Sequence, residues 1–380
     1  MNAGGLPPAG RVRRVKLAVP PPPPDAIARP ALLARLDDAA NRPLIRVVAG
    51  AGYGKTTLLA QWARHTTMPV AWLSLDPEDA DLGRFAAHLA ASIALAAPGS
   101  LPGVGILLAG SRALDPATLA EVLADDLLDL EDPVALVLDD LHAIAGSPAE
   151  RMLDFLLVYP PPMLRLMAGS RSVPDLPQAD RLSWRGLATN LGAADLRFAP
   201  EETATLLHDG DLRVAVEVTR RADGWAAGIR ALAMAGAAGA GGATIPMSVH
   251  SLLNADVLAG QSPELVAFLG DLVVAERVSP ALAAALSTRD LEVGDAAGLL
   301  AEAERHGLFV SRLDDRGEWW RLHPLLREAL GGDGQGILAA HARASAWLAR
   351  AGMPEEAIDH AIKAERLDEA GALLADHSAA

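Results

Sequence analysis

Lys55 and Thr56 close the stretch AGAGYGKTT, residues 49–57. A lysine and a threonine after a glycine-rich turn are residue types that bind phosphate. The ammonium reaches the β- and γ-phosphates of a nucleotide, and the hydroxyl is a ligand for Mg²⁺. The strict pattern is G-x-x-x-x-G-K-[ST]. Gly54, Lys55 and Thr56 supply its end, while Ala49 takes the place of its first glycine. Gly50, Gly52 and Gly54 keep the turn permissive, so backbone N–H groups can converge on phosphate oxygens. The loop follows an apolar run and opens a helix, whose dipole also favours an anion. Gly50, Gly52, Tyr53, Gly54, Lys55, Thr56 and Thr57 are therefore the candidate nucleotide-binding residues of this loop.

Two later stretches carry matching chemistry. VALVLDD (134–140) is a continuous apolar run closed by two acids. Asp139, at the carboxyl edge of a sheet, can hold Mg²⁺ through water, which makes Thr56 and Asp139 the candidate metal ligands. Asp140 can orient an attacking water or can be a solvated acid; the sequence leaves both open. LRLMAGSR (164–171) ends in Ser170-Arg171. An arginine there can face the γ-phosphate and report its presence, or can be a surface residue at a strand end. Asp140 and Arg171 are the candidate catalytic groups.

These residues need a parallel sheet to bring them together. PLIRVVAG (43–50), VAWLSLD (70–76), VALVLDD and LRLMAGSR read as strands. DAIARPALLARLDDA, with Ile27, Leu32, Leu33 and Leu36 at helical spacing, precedes them, and TTLLAQWARH, 81–96 and 117–130 read as helices between them. Such alternation predicts βαβ units and a buried parallel sheet. After about residue 197 the pattern is helical, with no convincing strand. AGAAGAGGATIP (235–246) reads as a hinge or linker. LFVSRLDDRGEWWRLHP then gives two short strands about an Asp-Asp-Arg-Gly turn, and helices plus a terminal hairpin predict a winged helix. Residues 337–380 resemble one or two helix-hairpin repeat units, where a larger array would begin.

The expected fold class is α/β: a P-loop NTPase parallel sheet flanked by helices, then a small helical domain, a winged-helix domain and a short helical tail. The expected boundaries are a disordered Pro-rich tail over 1–24, a nucleotide-binding domain over 25–197, a helical domain and linker over 198–248, a winged helix over 249–332, and the start of a helical-repeat arm over 333–380. RVRR (11–14) reads as a solvated basic tail, and VPPPPPD (19–25) as extended polyproline.

Composition narrows the function. The chain of 380 residues has room for two or three domains, and 51% hydrophobic residues with only 4% aromatics suit helical and α/β cores. The net charge of −15 repels a phosphate backbone. Residues 251–330 hold 13 acidic and 7 basic residues, a balance of −6, so the winged helix has the wrong sign for DNA. Any DNA contact belongs to another segment or partner. Cysteine is absent, which excludes disulfides and thiolate metal sites and fits a reducing compartment. No apolar run matches a membrane span, and the basic N-terminus lacks the apolar core of a secretory signal. The cytoplasm is the expected location.

Taken in order, KLAVPPPPPDAIARPALLARL, AGAGYGKTTLLAQWA, VAWLSLD, LVLDDLHAI, GSRSVPDLP, ADLRFAPEE, DGWAAGI and RLHPLLREAL resemble the MalT-type, LuxR-family STAND regulators over roughly residues 16–376. STAND proteins are signal-transduction ATPases with numerous domains, akin to the nucleotide switches of plant immune receptors and apoptotic scaffolds. The resemblance implies a nucleotide-binding domain, a small helical domain and a winged helix, followed in such proteins by a superhelical sensor and a DNA-binding helix-turn-helix. Those last two parts are not found in this sequence, which reads either as an excised switch module or as a naturally short member. The resemblance also implies that ADP holds a closed monomer, that ATP with an inducer favours an open form that self-associates, and that hydrolysis is slow. It matches Lys55 and Thr56 to the Walker A pair, Asp139 and Asp140 to the Walker B acids, and Arg171 to the sensor arginine. It matches Arg29 to an arginine near the adenine, and His323 to a winged-helix histidine that touches the β-phosphate of ADP. By its own setting, without the resemblance, His323 reads first as a structural cap of the next helix. The sequence departs from the family at Gly50 and Ala226, where related switches have proline.

An ATP/ADP switch with Mg²⁺ is thus the expected function. A P-loop ATPase or kinase with a metabolic substrate is the alternative, although no arginine-rich lid is evident for it.

Overall fold

The computed structural model describes residues 12–110, 114–207, 211–237, 253–258, 261–314, 316–331 and 334–378. The chain divides into two compact units, Met1–Arg197 and Phe198–Ala380.

The first unit is built on five parallel strands. They are β1 (Leu44–Val48), β2 (Val70–Ser74), β3 (Val134–Asp139), β4 (Leu164–Ser170) and β5 (Ala188–Leu191), in the order β2-β3-β4-β1-β5. The helices are α1 (Pro30–Ala39), α2 (Lys55–His65), α3 (Leu82–Ala96), α4 (Pro102–Ala109), α5 (Pro116–Leu128), α6 (Pro148–Leu156), α7 (Pro177–Trp184) and the single turn α8 (Ala193–Leu196). Helices cover the faces because parallel strands need crossovers, and β3 is accordingly buried along its whole length. Side chains alternate across the sheet. Val134, Leu136 and Leu138 of β3 and Leu164, Leu166 and Ala168 of β4 join one core cluster with α3, α5, α6 and α7. On the opposite face β4 packs against α2. There Gly169 is closely approached: a Cβ would stand 2.9 Å from Leu59 Cδ1 and 3.1 Å from Asp139 Oδ1, so a side chain would displace one of them.

Strand β5 was not among the expected strands. Its ATNL sequence is short and half polar, and it forms by pairing with β1 at the sheet edge. The expected disordered tail is also corrected. Residues 1–11 lie outside the described residues, but Arg14–Leu17 form a 3-10 turn with Lys16 and Leu17 buried. Leu17 joins the core cluster, and Lys16 pairs with Asp79, which is fully buried. Asp79 also meets His88 Nδ1 at 2.8 Å, and His88 Nε2 accepts from the Arg13 amide at 3.1 Å. The RVRR cluster therefore runs into a buried ionic network rather than into solvent alone.

The second unit begins with α9 (Pro200–Leu207), α10 (Leu212–Arg221) and α11 (Ala226–Ala237). Residues 238–246 of the expected linker lie outside the described residues. A π-helical turn (Leu253–Leu258) and α12 (Pro263–Asp271) lead to β6 (Arg277–Val278), α13 (Pro280–Leu286) and α14 (Val293–Arg305). The strands β7 (Val310–Arg312) and β8 (Trp320–Leu322) make the expected hairpin, and β6 adds to it in an antiparallel sheet of order β6-β8-β7. Helices α15 (Pro324–Leu330), α16 (Gly334–Arg350), α17 (Pro354–Lys363) and α18 (Leu367–Ser378) complete the unit. Its core holds Trp225, fully buried, edge-on to Phe309 at 4.7 Å.

Removing Asp79 should strand the buried Lys16 ammonium beside a lone Asp76. Asp79→Ala is expected to lower stability by about 3 kcal/mol, seen as a fall in the denaturant midpoint, and to open residues 12–17 to proteolysis. An unchanged midpoint would show that the network contributes nothing.

Candidate nucleotide-binding site

The loop between β1 and α2 has the shape that phosphate binding demands. Gly52 and Gly54 lie in the left-handed region, at φ 72° and 84°. A Cβ at Gly54 would meet nothing within 4 Å, so backbone conformation rather than space requires glycine there. Gly54 is the N-cap of α2 and contributes no side chain, which leaves the first amides of the helix available to an anion.

Lys55 is buried, and its Nζ donates to the Gly50 carbonyl at 2.9 Å. Burial is the main reason its pKa falls to about 8; Asp140 and Asp139 oppose the fall and Arg171 adds to it. An ammonium that leans on its own loop's carbonyl is a charge poorly matched by its surroundings, and a phosphate oxygen is the better acceptor. Thr56 Oγ1 donates to Asp139 Oδ1 at 3.0 Å. Asp139, 3% exposed, has its pKa pushed up to about 6, first by burial and then by Asp140. The two candidate metal ligands are therefore in contact across the intervening strand β4, and Gly169 leaves the space that lets them meet. Among the described residues no group of three or more His, Asp or Glu side chains could hold a metal. A hydroxyl beside one carboxylate is a fitting half-site for Mg²⁺, which takes its remaining ligands from phosphates and water.

Asp140 occupies the left-handed region at φ 59°, its side chain 40% exposed. His142, absent from the sequence-based candidates, stands beside it. Its Nδ1 lies 3.9 Å from Asp140 Oδ1 and accepts from the Arg171 amide at 3.4 Å. Burial pushes the imidazole down to about 4, so it is neutral at pH 7 with its proton on Nε2. The signal was there in LDDLH, a histidine two residues after the acidic pair. Ser170, also unselected, is fully buried, and its Oγ finds no partner among the described residues. The structure thus gathers Gly50, Gly52, Tyr53, Gly54, Lys55, Thr56 and Thr57 with Asp139, Asp140 and Arg171 at the carboxyl edge of one sheet.

Two candidates have local roles. Arg29 is buried and donates to the carbonyls of Leu196 (2.7 Å) and Arg197 (2.8 Å). It clamps the segment before α1 to the end of α8, while Gln61 of α2 donates to Ile27 O at 2.9 Å and holds the same segment. His323 belongs to the second unit. Its Nδ1 accepts from the Leu325 amide and caps α15, so Nε2 carries the proton it donates to Ala222 O at 3.0 Å.

Residues 254–345 match the MalT winged helix domain. The chain is 31% identical over 374 residues to the HTH-type transcriptional regulator MalT of Serratia proteamaculans, covering 93% of this chain and 41% of that protein. Most of this chain is thus similar to part of a MalT regulator. It is also 34% identical over 345 residues to the serine/threonine-protein kinase PknK of Mycobacterium tuberculosis, covering 85% of this chain and 30% of that protein. The chain spans less than half the length of these relatives. A walker-type ATPase of Pyrococcus abyssi has a similar fold, with a TM-score of 0.53 and 14% identity over 80% of this chain and 96% of that one. The P-loop parallel sheet and the winged helix expected from the sequence are both present. No helix among the described residues is long and apolar enough to cross a membrane.

The Asp139 carboxyl has a higher pKa folded than its ordinary 3.8, so ionising it opposes folding. The penalty is absent below pH 3.8 and fully present above about 6. Without nucleotide, Asp139→Asn is therefore expected to be more stable than the parent above pH 6, by about 2 kcal/mol, with the gap closing toward pH 4. The same variant should lose the Mg²⁺ dependence of nucleotide binding. Thermal melts across pH, and titrations with and without Mg²⁺, check both.

Proposed function

We propose that this chain is the ATP/ADP-binding switch module of a transcription regulator, using nucleotide as a signal and hydrolysing it slowly. The observation that carries this reading is the Lys55, Thr56 and Asp139 constellation in a P-loop unit, in one chain with a MalT-type winged helix. Its likeness to segments of an HTH-type transcriptional regulator and of a protein kinase supports it further. A segment common to proteins with two different outputs suits a control element better than either output.

Lys55 would bind the β- and γ-phosphates. Thr56 and Asp139 would hold Mg²⁺, which when bound supplies charge neutralisation across the phosphate oxygens. Asp140 would orient water, and Arg171 would report the γ-phosphate. Arg29 would act by fixing the segment proposed to lie near the adenine. A winged-helix group that contacts ADP would make one conformation bind it better than another, which is what a switch requires. His323 is that group in this reading, offering to the β-phosphate the Nε2 proton now given to Ala222. Phe309, 5.0 Å from the His323 ring, keeps a left-handed backbone at φ 60°. Such a conformation costs about 1–3 kcal/mol in a non-glycine residue and fits a poised region. In this reading the ADP form is a closed monomer, the ATP form self-associates, and DNA is bound by other segments or partners in the cytoplasm.

Nucleotide released on denaturing the purified protein should be near-stoichiometric ADP. Lys55→Ala is expected to weaken nucleotide binding by about 10- to 100-fold. His323→Ala should speed ADP release, and His323→Asn, which keeps a capping oxygen, should do the same without loss of α15. Rapid multiple turnover of added ATP by the protein alone would favour the metabolic ATPase reading instead.

A further inference from the structure

The second unit contains a cleft of about 630 Å³, well away in sequence from the P-loop and formed between the β6-β8-β7 sheet, α15 and the α16–α17 pair. That size suits a small organic ligand. Val274, Leu282 and Leu348 give it an apolar floor, and Trp319, Leu313 and Met353 give it apolar walls.

Its charges do not balance. Three acids line the cleft, and each already has a cation: Glu356 pairs with Arg277 at 2.7 Å, Asp359 with Lys363 at 2.6 Å, and Glu276 with Arg321 at 3.9 Å. Arg321 draws on Asp223 as well. The fourth cation, Arg327, is half-buried and has no ion pair among the described residues, although Glu276 acts on it from beyond ion-pair contact. Its Nε donates to the Val273 carbonyl at 2.8 Å, which fixes the plane of the guanidinium and leaves its two terminal nitrogens for another acceptor. His360 adds no charge, since burial and neighbouring His341 push its pKa down to about 4. A fixed guanidinium beside apolar side chains, with each lining carboxylate in an ion pair with another cation, is suited to an anion.

We propose that this cleft binds a small organic carboxylate, its anionic end paired with the terminal nitrogens of Arg327 and its apolar body against Trp319, Leu313 and Met353. The ligand bridges the winged-helix sheet and the helices that follow it, so it stabilises this unit in proportion to its occupancy.

The test uses the full chain, with 4-phenylbutyrate as the probe and 4-phenylbutanamide as its neutral counterpart. Ligand-observed NMR and thermal melts should show saturable binding of the acid, with the amide at least about tenfold weaker. Arg327→Gln should weaken the acid by at least about tenfold, while Arg316→Gln, outside the cleft, leaves it unchanged. Equal binding of acid and amide overturns the proposal, as does undiminished binding to Arg327→Gln or no saturable binding up to about 10 mM. Should Arg327→Gln fail to fold, Trp319→Ala decides in its place: binding that is unaltered there overturns the proposal equally.

Discussion

The burial of an ammonium and a carboxylate at one edge of a parallel sheet is the constraint on which the first unit depends. Desolvation disfavours both charges and pushes their pKa values in opposite directions, Lys55 down and Asp139 up. Neither shift is removed by the groups nearby. The protein tolerates this because the sheet, buried on both faces, fixes the positions of the strand ends. Strand β4 separates β1, which leads into the lysine's helix, from the aspartate's strand, and Gly169 within it is small enough for α2 and Asp139 to approach over it. The instability of that arrangement is also its capacity to bind, since an anion and a cation entering together satisfy both groups.

Much of this was legible in the sequence because it is written locally. A glycine-rich turn before a helix and an apolar run closed by acids each carry their own signal, and parallel strands buried on both faces read as continuous hydrophobic runs. What was not legible rests on contacts between distant residues. ATNL becomes β5 only because β1 offers it an edge. Leu17 and Lys16 are ordered by Asp79 and the core beneath them, although the prolines that follow suggest an extended tail. Gly169 passed as one small residue in an apolar run, and its role comes from Leu59 and Asp139, far away in the chain. His142 carried a signal in its place after the acidic pair, but its neutral state is a product of burial.

Arg29 and His323 teach a different lesson. Both were selected by resemblance for nucleotide contact, and both have structural work. Arg29 terminates the carbonyls of α8, and His323 caps α15 while donating to Ala222. Engagement of this kind does not disqualify a residue from function; it sets the terms. A histidine with both nitrogens satisfied is held in one tautomer and one orientation, and any new acceptor must compete with a backbone carbonyl.

That competition bears on whether nucleotide is fuel or signal. A catalyst of rapid turnover gains from groups that favour the transition state and release product easily. A switch gains from groups whose partners differ between states, because only a difference in affinity can shift a population. Lys55 donates to its own loop's carbonyl and His323 Nε2 to the Ala222 carbonyl, and in the proposed reading each exchanges that backbone partner for a phosphate. In the proposed reading, groups with replaceable partners make binding, rather than chemistry, the event that the module registers.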